Sequence, residues 1–90
     1  MRSSPENVEY CRALWHSLCP TISPPTEDEV AQWLSTFPMR YVVHAFKITI
    51  REHDRLAKRG QAGYQEDEAI TRCLEIMQSE LDGFEQRRAS

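Results

Sequence analysis

"MRYVVHAFKITIREHDRLAKRG", Met39 to Gly60, is the stretch on which the fold turns. Read in steps of two it opens like a strand: Ile48 and Ile50 alternate with polar neighbours. The β-branched Val42, Val43, Ile48, Thr49 and Ile50 carry strand propensity. Read in steps of three and four, it separates into two sides. At about 100° per residue, Val42, Val43, Ala45, Phe46, Ile50, Leu56 and Ala57 gather on one side. Arg40, His44, Lys47, Arg51, Arg55 and Lys58 gather on the other. From Met39, 21 residues pass before the first glycine, Gly60. No turn signal interrupts them, and strands are usually much shorter. The helical reading therefore prevails, with Gly60 as the C′ residue and Lys58 and Arg59 near the carbonyl end.

Outward from this helix, the upstream segment "TEDEVAQWLSTFP" carries a sharp start signal. Thr26 and Glu29 have capping-box spacing, and Glu27, Asp28 and Glu29 put negative charge where a helix dipole favours it. Val30, Trp33, Leu34 and Phe37 follow at i, i+3, i+4 and i+7, and Pro38 closes this short helix and can also serve as the first residue of the next. Earlier, "SSPENVEYCRALWHSLC" reads as a helix with Val8, Cys11, Trp15 and Leu18 on one stripe and Leu14 beside them. Ser3 with Glu6, or Ser4 ahead of Pro5, would start it. "PTISPP", residues 20–25, is a proline-rich linker.

Downstream, "GQAG" is a turn, and a last helix begins near Tyr64 or Gln65, with Glu66, Asp67 and Glu68 at its positive end. Ile70, Cys73, Leu74, Met77, Leu81 and Phe84 give it an amphipathic stripe, and residues 86–90 are expected to fray. The expectation is one helical domain over residues 1–90. It is an all-α, small orthogonal or irregular four-helix bundle with one short helix, its core built on Trp15, Trp33, Phe37 and Phe46.

Composition narrows the classes of function. Ninety residues with 40% hydrophobic and 28% charged content fit a single folded domain with a thin stability margin. No apolar run is long enough to span a bilayer, and "MRSSPENVEY" has no apolar core of a secretory signal. Cys11, Cys19 and Cys73 are odd in number and lack a CxxC pair, which suits free thiols in a reducing compartment. A cytoplasmic location with no membrane contact is the resulting expectation.

Chemistry-bearing constellations are sparse. Cys11, His16 and Cys19 include metal-ligand types, but Cys11 and His16 point about 140° apart on a helix. Small core thiols are the plainer reading, and no metal or cofactor is expected. A Cys73–His53 pair would need hydrogen-bond contact and an orienting third group. The plainer reading of His53 is a partly buried residue that donates to a backbone carbonyl or caps a core. The carboxylates sit in helix first turns, and neither a P-loop nor GxGxxG is present. The chain reads as non-enzymatic.

The informative asymmetry is charge. Residues 40–59 hold six Lys or Arg against two acids, a balance of +4, while residues 60–85 hold one Arg against seven acids, a balance of −6. Arg40, Lys47, Arg51, Arg55 and Lys58, with Arg59 at the end, form a basic ridge flanked by Tyr41 and Ile48. Such a ridge can track a phosphate backbone or meet an acidic protein. It can also be the ordinary wet side of a helix, partly neutralised by Glu52, Asp54 or the last helix. The alternative surface is apolar: a self-associating or partner-binding bundle anchored by exposed parts of Leu14, Trp15 or Met77.

The order of signals in "PTEDEVAQWLSTFPMRYVVHAFKITIREH" resembles the start of the C-terminal helical domain of DnaD-type replication-initiation proteins. The residues carrying it are Glu29, Trp33, Leu34, Phe37, Val42, Ala45 and His53, with "YQEDEAITRCLEIM" falling where that family has its "YxxxIL" helix. The family's later W…G signature is missing after Met77. The resemblance, over about residues 25–80, implies an all-helical module that binds DNA or helicase-loading proteins through basic helix surfaces.

Overall fold

The structure is a computed structural model describing residues 5–89, apart from the side chains of residues 85, 86, 88 and 89. Four helices follow in order: α1 (Pro5–Leu18), α2 (Glu27–Thr36), α3 (Met39–Lys58) and α4 (Glu66–Ala89). No strand occurs among the described residues, so Met39 to Lys58 is one helix despite its β-branched residues. Packing overrides strand propensity here. Val42, Ala45, Phe46, Thr49 and Ile50 are all buried, and a helix places them along one side.

Local chemistry fixes the helix ends. At α2, Thr26 Oγ1 accepts from the Glu29 N–H (3.2 Å) while Glu29 Oε1 accepts from the Thr26 N–H (3.0 Å), completing the capping box. Pro38 is the N-cap of α3, one residue ahead of the helix itself. At the far end Gly60 adopts φ 76°, and the Gln61 and Gly60 N–H groups donate to Leu56 (3.0 Å) and Ala57 (3.1 Å) carbonyls. Those two bonds are a Schellman motif, which requires a left-handed residue at C′. Glu68 Oε1 accepts from the Gln65 N–H (2.9 Å) at the start of α4. Ser3 and Ser4, the expected starts of α1, lie outside the described residues. α4 itself runs to Ala89.

α3 is the central element. α1 and α2 pack on each other and on α3, whereas α4 packs on α3 alone. The domain is flat as a result, 42 × 33 × 17 Å. Phe46 sits at the middle of the core, with Trp15 edge-on at 5.0 Å between centroids and Trp33 at 6.1 Å. The proline-rich connection 20–25 is irregular but docked. Ile22 and Pro25 are buried, Trp15 Nε1–H donates to the Ile22 carbonyl (3.1 Å), and Arg12 Nε–H donates to that of Pro25 (2.9 Å).

Two details of the expected core change. Thr49 is buried where only apolar residues were expected, because its hydroxyl accepts from the Cys73 thiol (3.3 Å) across the α3–α4 seam. Ala57 is exposed and Leu56 only half-buried.

Candidate functional site

The six basic residues of the ridge are all exposed: Arg40, Lys47, Arg51, Arg55, Lys58 and Arg59. Lys47, Arg51, Arg55 and Lys58 recur at spacings of four, four and three, so they line one edge of α3. At 1.5 Å per residue that row is about 16 Å long. Among the described residues none of the six enters an ion pair. Arg40 lies near the Tyr41 ring, 5.3 Å from its centroid, and Arg59 caps the helix.

The charges beside the row are engaged. His44 Nδ1 lies 2.7 Å from Glu80 Oε1 on α4. Glu52 takes both arms of Arg72, at 2.9 Å from Nε and 3.0 Å from Nη2, and accepts the Tyr64 hydroxyl at 3.0 Å. The Arg72 hydrogen bonds hold the Glu52 carboxyl below its ordinary value, against the opposing effect of burial, with Tyr64 and the charges of Arg72 and Arg55 adding to them. The same pairing raises the Arg72 guanidinium still further. Burial pushes the Tyr64 phenol up, and its bond to Glu52 adds to this. Glu52 is therefore committed to α4 and the α3–α4 turn.

Tyr41 and Ile48 do not stand free beside the ridge. Both are half-buried and pack against the core, because their angular position turns them toward the interior. A shallow hollow does adjoin the row. It is lined by Leu18, Lys47, Ile50, Arg51 and Asp54, where the end of α1 meets α3. It places an apolar floor between two cations that enter no ion pair, with Asp54 on the same rim.

His53 is half-buried as expected, but in place of donating to a carbonyl its Nδ1 accepts from the Tyr64 N–H (2.9 Å). A methyl group added at Gly63 would collide with the imidazole ring. The ring thus replaces the missing side chain of the turn and ties it to α3. Cys73 turns the other way: fully buried, it bonds Thr49, with the Ala45 carbonyl 3.9 Å off. The two residues share no hydrogen bond, so the pairing considered for nucleophilic chemistry does not form. Burial pushes the Cys73 thiol up to about 12, and raises Cys11 as well. Cys11 and Cys19 are buried too, and no group of three His, Cys, Asp or Glu capable of holding a metal occurs among the described residues.

The apolar surface differs from expectation. Trp15 and Met77 are fully buried and Leu14 is half-buried, so the first two cannot anchor a partner. Among the described residues, Tyr10, Leu18, Leu74 and Phe84 are the exposed large apolar side chains. Leu74 and Phe84 are exposed because α4 packs on one neighbour and its apolar stripe is wider than that contact. No described helix is long and apolar enough to cross a membrane.

The ties between Glu52, Arg72 and Tyr64, and between His53 and Tyr64, span 11 to 20 residues. The one hint of them in the sequence is Glu52, an acid in a basic helix and set off from its ridge. The chain matches no known family model, no curated protein and no solved structure. The DnaD-type resemblance therefore rests on the residues quoted for it.

Proposed function

We propose that this protein is a non-enzymatic binding module whose working surface is the basic edge of α3. The partner it engages there is polyanionic: DNA, or the acidic surface of a replication-type protein. The observation that carries this reading is selective pairing. His44 and Glu52, beside the row, are tied to α4, while Lys47, Arg51, Arg55 and Lys58 remain exposed and unpaired. Cations that enter no ion pair can neutralise the phosphates of a duplex and release its condensed counterions, or meet the carboxylates of an acidic protein. The resemblance to DnaD-type domains agrees in kind, since that family is expected to use basic helix surfaces. Binding of a short DNA duplex at low salt tests the reading. Affinity should fall steeply as salt rises, and Arg51→Ala with Arg55→Ala should flatten that dependence.

A second reading follows from the exposed Leu18, Leu74 and Phe84. It is a bundle that binds a protein partner, or itself, through an apolar interface. It predicts association that those substitutions leave unchanged.

A further inference from the structure

α4 carries a surface that complements the α3 edge. Leu74 is 45% exposed, and Ile70 and Leu81, at i−4 and i+7, are half-buried on the same side of the helix. Asp67, Glu75 and Asp82 stand exposed around that strip. The other surface is the hollow between α1 and α3, where Leu18 and Ile50 lie beside Lys47 and Arg51. One surface is apolar with an acidic rim; the other is apolar with a rim of two cations, Lys47 and Arg51, against one acid, Asp54, and so is net basic.

We propose that α4 of a second copy of this chain docks on the α1–α3 hollow, with Leu74 over Leu18 and Ile50 and the acids of α4 along Lys47 and Arg51. This rests on the α3 edge being a working surface, and it names one occupant of it. Charge decides between the modes of self-association. Two α4 helices meeting face to face would set Asp67, Glu75 and Asp82 against their own copies, which is repulsive. Docking α4 on α3 pairs opposite signs instead. The contact is heterologous, because two different patches meet, so the dimer keeps one free patch of each kind. Growth past the dimer follows, and salt weakens it.

Sedimentation of the full chain at low salt tests this with two charge-reversed variants. One carries Lys47→Glu and Arg51→Glu; the other carries Glu75→Lys and Asp82→Lys. Circular dichroism confirms that each folds. The wild-type mass should climb with concentration past the dimer and return to the monomer at high salt. Each variant alone should stay monomeric, because its two patches then carry the same sign, and their mixture should regain association, because both the native and the reversed patches then meet opposite charge. Leu74→Ser, at an exposed site, should lose the association and keep DNA binding. A wild-type chain that stays monomeric across the series overturns the inference. So does a mixture that fails to pair, or a Leu74→Ser chain that still associates. Salt-dependent DNA binding is read separately, so it stands or falls independently of these outcomes.

Discussion

Replacing Gly63 with alanine should reverse the sign of its effect according to what stands at position 53. Gly63 does not have a positive φ, so its backbone accepts alanine without strain. Taken alone, Gly→Ala then stabilises by about 0.4–1 kcal/mol, through lower entropy of the unfolded chain. In the folded chain the new methyl group meets the His53 ring. The ring must move, and the Tyr64 N–H loses its acceptor. Leaving a buried donor unmet costs about 1–3 kcal/mol, and half-burial reduces this to about 1–2. Gly63→Ala should therefore destabilise by about 1 kcal/mol net, lowering Tm by roughly 4–8 °C for a domain of this size. In a His53→Ala background there is no ring to displace, and the same change should stabilise by about 0.4–1 kcal/mol. Urea unfolding of the four chains of this cycle, followed by circular dichroism, measures both steps. Equal destabilisation in both backgrounds would refute the idea that the imidazole fills the place of a Gly63 side chain.

Phe46→Ala should cost about 3–5 kcal/mol, because the ring is fully buried between Trp15 and Trp33; thermal melts should show most of the stability gone. Glu52 gives an acid-side pH dependence. Its folded carboxyl lies below its ordinary 4.5, so its contribution is present above that pH and is lost as pH falls through the folded value. Glu52→Gln should cost about 1–2 kcal/mol at neutral pH, allowing for the exposure of the pair, and much less in acid; Tm against pH for both chains reads this out. Cys73 acts on the alkaline side. The folded thiol titrates at about 12 against an ordinary 9.0, so the unfolded thiol ionises first and stability falls as pH rises between those values. Native-state thiol labelling should accordingly be slow at all three cysteines and track unfolding, whereas labelling at the free-thiol rate would contradict their burial.

Helices were legible wherever one short segment contained its own signal. The Thr26–Glu29 box, Gly60 at C′ and the two-sided pattern of Met39 to Lys58 each depend on residues a turn or two apart. Burial depended on neighbours that no local pattern names. Ala57 falls on the apolar side of α3 yet is exposed. Thr49 was hidden by its hydroxyl, which finds a partner only when Cys73 arrives from 24 residues away. Met77 and Leu74 belong to one stripe, but a single covering helix buries the first and leaves the second at the surface. The basic residues could be placed on one side from spacing alone. Which acids were already engaged could not, since Glu52 and Glu80 find their partners only across the α3–α4 seam.

The most direct test of the α3 edge is a titration of the full chain with a short DNA duplex over a series of salt concentrations. Binding should be measurable at low salt and weaken linearly on logarithmic axes. The slope should shrink by about one for each phosphate-contacting cation removed at Arg51 or Arg55. No binding at low salt, or a slope unmoved by both substitutions, would contradict a phosphate-binding role for this edge.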